Sequence, residues 1–112
     1  MKKFMALYMA RASAIEAMMK NAKPEDMKAA MNAWVAWDNA NKSTIVELGA
    51  PLGKTRRIEP SKVSDMKNDI TGYSILQGDS AGSVAKVFKD HPHLQMDGAW
   101  IELIEVMPLP SM

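Results

Sequence analysis

The apolar positions of this chain fall into blocks that change period. Residues 3–9, KFMALYM, set Phe4, Ala6 and Tyr8 against Met5, Leu7 and Met9. Successive side chains of a strand point to opposite faces, so this run predicts a β-strand that is apolar on both sides. Residues 12–21 change to helical spacing, with Ile15, Met18 and Met19 on one side and a Glu16–Lys20 pair opposite. A longer helix starts at Pro24, where a missing N–H is harmless, and Glu25 and Asp26 suit the positive end of its dipole. Its stripe of Met27, Ala30, Met31, Trp34 and then Trp37 or Asp38 carries it to Asn41.

The β-branched run 44–48, TIVEL, predicts a second strand, ended by a turn over Gly49-Ala50-Pro51-Leu52-Gly53. Residues 54–58 add a short extended piece, and 59–69, with Pro60, serines and several charges, reads as a loop. A third main strand covers 70–77, ITGYSILQ. Asp79 or Ser80 is the expected cap of a helix that buries Ala81, Val84, Ala85 and Phe88 and stops at Pro92. The last strand is 100–107, WIELIEVM.

The order β-α-α-β-β-α-β predicts one α+β domain over 1–112: a ferredoxin-like split β-α-β sandwich with a four-stranded antiparallel sheet. Helices cover one face of such a sheet. A solvated second face would alternate cleanly between apolar and polar, and these strands do not. An exposed apolar patch of that size calls for a cover, and a second copy packed face to face is the simplest.

Composition narrows the partners. The 112 residues hold 14 basic and 13 acidic side chains, a net charge of +1, which gives no reason to expect nucleic acid or an anionic membrane. No cysteine is present, which excludes disulfides, thiolate nucleophiles and Cys-ligated metals. No segment reaches the ~18 apolar residues of a membrane span. The start, MKKFMALYMARASA, has the outline of a secretion signal, but Arg11 interrupts a short core; a first strand and a cytoplasmic location are expected instead.

His91-Pro92-His93 is the sharpest local feature. Residues two apart in an extended segment point the same way, so both imidazoles could face one cleft. With Asp38 or Glu102 as third ligand they could hold a divalent metal, or one could serve as a general base. Two histidines without further spaced ligands do not define a metal site, and no metal or cofactor is expected. The plainer reading has Asp90 and His91 finishing a helix and His93 packed beside the following strand. Glu102 and Glu105, three apart in an apolar strand, point to opposite faces. One is an acid/base candidate, and ion pairing at the rim is the plainer reading. Tyr8, Trp34, Trp37, Tyr73 and Trp100 could line an aromatic pocket, made adaptable by methionine, although such stripes more often are core. Lys54, Arg56 and Arg57 follow the 49–53 turn and could hold an anion; the phosphate-loop pattern is absent.

The segments KKFMALYMA, GAPLGKT, GYSILQGDS, FKDHPHL and IELIEVMPLP, in this order over nearly the whole chain, resemble the YCII-related (DGPF-containing) family. The resemblance implies a dimeric α+β barrel, in which two ferredoxin-like sheets close on each other. A few relatives act in the degradation of chlorinated aromatic compounds. A His–Asp pair proposed as catalytic in the compact branch does not carry over: the helix that holds that histidine reads MKAAMNAWVAWDNAN here, with Trp34, Trp37 and Asp38 and no histidine.

The resulting expectation is a homodimer that binds a small aromatic or enol-like acid. Catalysis, if present, would be cofactor-free proton transfer or lyase-type chemistry. His91, His93 and Asp38 are the catalytic candidates, and Tyr8, Trp34, Trp37, Lys54, Arg56, Tyr73, Trp100 and Glu102 the binding candidates. The rival is a non-catalytic dimeric interaction or scaffold module whose pocket is filled by its own side chains.

Overall fold

Strand β1 (Lys2–Ala10) is the centre of the molecule. In the computed structural model, which describes residues 1–110, it lies between β5 (Ile70–Gly78) and β6 (Ala99–Val106), antiparallel to both. Strand β2 (Ile45–Pro51) flanks β5, giving the order β2-β5-β1-β6. The crossover from β1 to β2 runs through helices α1 (Ala12–Asn21) and α2 (Pro24–Ala40). That from β5 to β6 runs through α3 (Ala81–Ala85) and two 3₁₀ turns, Lys86–Phe88 and Pro92–Gln95. This is the ferredoxin-like split β-α-β arrangement. Between β2 and β5 a separate hairpin is inserted, β3 (Thr55–Glu59) with β4 (Lys62–Met66). Among the described residues, no helix is long and apolar enough to cross a membrane.

Register sorts the side chains by face. Phe4 pairs with Leu76, Ala6 with Ser74 and Leu103, and Tyr8 with Gly72 and Ile101. This face is the core: Phe4, Ala6, Tyr8 and Leu76 are buried with Trp37, Val84 and Phe88 from the helix layer. The other face presents Met5, Leu7 and Met9 of β1, Tyr73 and Ile75 of β5, Trp100, Glu102, Ile104 and Val106 of β6, and Glu47 of β2. Among the described residues no element covers its centre, and only Met9, at one end of it, is buried. Its centre is half-buried by neighbouring side chains, while Ile104 and Val106 remain 45% and 41% exposed.

The helix layer is thin. Pro24 opens α2 with Glu25 and Asp26 in the first turn, as its sequence predicts, yet only Trp37 of this helix is buried. Met27 and Met31, expected on the buried stripe, are 62% and 61% exposed. Helix α1 buries nothing, and Met18 and Met19 are exposed too. Ser80 caps α3 through a capping box with Ser83. That helix lasts five residues and tightens into a 3₁₀ turn; Val84 and Phe88 are buried, whereas Ala81 and Ala85 are exposed.

Two segments differ from the sequence expectation. The turn placed at 49–53 begins later, because β2 runs through Gly49 and Ala50 to Pro51. Gly49 has a φ of 84° and lies where the register against β5 slips between Glu47 and Ala50, so a bulge absorbs the turn signal. The stretch 59–69, expected as a loop, contains β4. Its polar and charged residues suit a two-stranded ribbon wet on both sides, which has no apolar period to betray it.

A Cβ at Gly49 would lie 1.7 Å from the Tyr73 carbonyl oxygen, on top of a backbone conformation that L residues avoid. Gly49→Ala should therefore lower unfolding free energy by ~3 kcal/mol or more. Gly53→Ala, where nothing lies within 4 Å, should stay within ~0.5 kcal/mol of the parent in the same urea titration.

Candidate functional site

The local chain path brings both histidines to the helix-side core. Pro92 does not merely stop a helix; it occupies the first turn of a new 3₁₀ segment, and His91 is its cap. The His91 Nδ1 accepts the His93 backbone N–H at 3.0 Å, so the neutral ring carries its proton on Nε2. His93 Nε2 donates to the Met9 carbonyl oxygen at 2.8 Å, which fastens the segment to the end of β1. His91 is fully buried and His93 7% exposed.

Rings close around His91. Tyr8 stacks on it at 5.0 Å, Trp34 and Trp37 meet it edge-to-face at 4.4 Å each, and Phe88 lies at 5.6 Å. The Trp37 Nε1–H is spent on the Val87 carbonyl at 2.7 Å. The Tyr8 hydroxyl donates to Ser74 Oγ at 2.7 Å, since the Ser74 hydroxyl itself donates to the Leu48 carbonyl at 2.5 Å. Burial pushes the Tyr8 phenol up to about 12. His91 Nε2 has no hydrogen-bond partner among the described residues. An N–H can rest weakly on aromatic surface, and a ring so enclosed resists a positive charge. Burial, and secondarily the neighbouring His93, accordingly pushes its pKa down to about 4.

The sequence candidates thus separate into groups. Tyr8, Trp34, Trp37, His91 and His93 come together, but they fill the space between sheet and α2 by contact with one another. Tyr73 and Trp100, expected in the same pocket, stand on the opposite face of the sheet. Asp38 joins neither group: its carboxylate is held by Lys42 Nζ at 2.7 Å, one helical turn on, with no hydrogen bond to either histidine among the described residues. Lys54 and Arg56 lie at the base and on the first strand of the β3–β4 hairpin, exposed. Among the described residues, no three of His, Asp and Glu converge as a metal-binding group.

The open face holds a second set. Tyr73 donates its hydroxyl to Glu47 Oε1 at 2.8 Å, and this bond, with the charge of Glu47, raises the Tyr73 pKa. Trp100 Nε1–H donates to Glu102 Oε2 at 2.9 Å. Glu105, on the other face, pairs loosely with Lys2 at 3.6 Å, whereas neither Glu47 nor Glu102 has a cation partner among the described residues. Two carboxylates, each held by one aromatic donor, therefore flank an apolar floor of Met5, Leu7 and Ile75. Glu47 and Ser74 were not singled out from sequence. A lone Glu within the β-branched run TIVEL was the available signal for the first; nothing marked the second.

No family model matches the chain, and no curated protein matches it. Among solved structures it is similar to the 5-chloro-2-hydroxyhydroquinone dehydrochlorinase of Burkholderia phenoliruptrix AC1100, determined in complex with 2,5-dihydroxybenzoquinone. Identity is 15% over 89% of this chain and 90% of that one, with a TM-score of 0.49.

His91 makes stability depend on pH. Its folded value of about 4 lies below the ordinary 6.5. Between those values the unfolded chain takes up a proton that the folded chain refuses, so stability is complete above pH 6.5 and falls as pH drops toward 4. The gap corresponds to roughly 3 kcal/mol. Thermal unfolding across this range should show that loss in the parent. His91→Leu should be less stable at neutral pH, with a flatter acid limb.

Proposed function

We propose that the chain works as a homodimer in which the open sheet faces of two copies enclose a chamber for a small planar ligand. The observation that carries this reading is the amount of uncovered surface. A compact monomer of 12.4 kDa exposes about 6,100 Å²; this chain exposes 8325 Å². The excess, about 2,200 Å², is what one partner of a large obligate dimer hides. The slab-like outline agrees: the radius of gyration is 15.8 Å, against about 13 Å for a compact chain of this length. A dimeric α+β barrel, the assembly implied by the resemblance to the YCII-related family, would supply that cover.

The chemistry of the face selects the ligand class. Glu47 and Glu102 are acceptors with no cation partner among the described residues, so a ligand offering O–H or N–H donors suits them better than a carboxylate, which they would repel. Phenolic and enolic compounds meet that requirement and can stack on Tyr73 or Trp100. A carboxylate held by a single N–H keeps lone pairs free to take a proton from an acidic O–H. The reaction class that follows is cofactor-free proton transfer, with Glu102 as base and Tyr73–Glu47 orienting the ligand. This moves the catalytic role away from His91, His93 and Asp38. A second reading, a non-catalytic dimeric module, draws on the ring cluster around His91, which is packed by its own side chains.

Sedimentation should find a dimer at micromolar concentration, and Ile104→Glu should yield a folded monomer, because that side chain is already 45% exposed. A thermal-shift screen of neutral phenols against benzoates should raise the midpoint by about 5 °C with the phenols only. Glu102→Gln and Tyr73→Phe should each reduce the rise. A dimer that responds to no ligand would leave the non-catalytic module standing, and a monomeric parent would remove the chamber.

A further inference from the structure

We propose that two copies of this chain join edge to edge along β6, the outer edge of each strand pairing antiparallel with that of the other, so that both open sheet faces lie on one side of a single eight-stranded sheet. The inference deepens the homodimer reading above and rests on it. Ala10 donates its N–H to the Asp69 carbonyl on the β5 side of β1. Gln77 of β5 donates away from β1, to Thr44, which leaves the even residues of β5 to face the even residues of β1. Backbone groups alternate along a strand, so the odd residues of β1 bond β6. These residues, Lys3, Met5, Leu7 and Met9, face Val106, Ile104, Glu102 and Trp100. Ile101, Leu103 and Glu105 therefore turn their N–H and C=O outward, where no strand pairs with them among the described residues.

A regular open edge invites another strand. The opposite edge of the sheet, β2, is broken by register slips between Ile45 and Glu47 and between Glu47 and Ala50, and such irregularities blunt an edge. Strand β6 runs against β1 without a slip. Carried past β6, the alternation keeps Met107 and Leu109 on the outer edge and puts Pro108 and Pro110, which have no N–H, on the inner one. The outer edge thus keeps all its donors from Ile101 to Leu109. Met107 and Leu109 are 70% and 92% exposed, so their own copy gives them no cover.

The same edge of a second copy supplies what is missing. In a two-fold antiparallel pair centred on Ile104, Leu103 faces the second copy's Glu105, Ile101 its Met107 and Ala99 its Leu109. A pair centred on Glu105 would set two carboxylates against each other, which is destabilising. Residues directly opposite share a face of the sheet, so Met107 and Leu109 arrive on the helix side, next to Ile101. There a cleft of about 370 Å³ lined by Phe88, Lys89, Leu94 and Ile101 lies open beside the edge. Glu105 arrives on the same side. Its tie to Lys2 of its own copy is loose, at 3.6 Å, and Lys89 has no ion pair among the described residues, so opposite charges meet across the edge. The pairing stays at the rim and on the helix side, and it leaves Glu47 and Glu102 on the chamber side without a cation.

The test uses the full chain and reads the dimer dissociation constant by sedimentation from nanomolar to high micromolar concentration. Met107→Asp with Leu109→Asp changes side chains already in water, so circular dichroism should not change while the constant rises about 100-fold. Lys89→Glu and Glu105→Lys should each raise it about 10-fold and, combined, restore it, a rescue that independent sites would not show. Hydrogen exchange should slow on dimerisation more at Ile101, Leu103 and Glu105 than at Glu102 and Ile104, whose N–H groups β1 already holds. A constant unchanged in the edge variants, with no such alternation, would overturn the edge pairing. If Ile104→Glu still yields a monomer in that case, the sheet faces pair without it and the chamber survives. A parent that stays monomeric throughout would overturn both.

Discussion

Tyr8 and His91 stack face to face, and the hold of the helices on the sheet depends on the cluster they begin. Trp34 and Trp37 are the points at which α2 meets that cluster, and Trp37 is the only buried residue of its seventeen. N-terminal to them, three turns of α2 stand in water and α1 has no buried residue. Ring-on-ring contact is therefore what converts a run of helix-forming residues into a layer of the fold. His93 completes the fastening by tying the 3₁₀ turn to the carbonyl of Met9. Enclosure among rings keeps the imidazole of His91, in the sharpest motif of the sequence, neutral.

The sheet has the opposite problem. On the helix side β1 presents Phe4, Ala6 and Tyr8 to a cover that exists. On the other side it presents Met5 and Leu7 to none among the described residues. The same strand thus makes one finished and one unfinished surface, and the polar groups set into the unfinished one are satisfied locally by Tyr73 and Trp100.

The strands β1, β5 and β6 were legible as bounded runs rich in apolar, aromatic and β-branched residues. Which face met the helices was not, since both sides of KFMALYM are apolar. The β3–β4 ribbon escaped detection for the converse reason: RRIE and KVSD face water on both sides, and burial writes the pattern that sequence reading detects. The candidate residues were largely recognised by type, yet their grouping failed at the sheet. Residue parity places Tyr8 and Tyr73 on opposite faces once the register is known, and the register depends on where β5 lies against β1. The bulge at Gly49 is a feature of that pairing, so GAPLG looked like a turn.

Sulfur is distributed in an unusual way for a chain with 11 methionines. Among the described residues Met9 is the one methionine in the buried core, while Met18, Met19, Met27 and Met31 lie on the outer helices. Oxidants would thus convert thioethers to sulfoxides on the periphery first, where the added oxygen can be hydrated, and leave the ring-built interior untouched. The molecule would lose the greasiness of its helical flank well before it lost its shape.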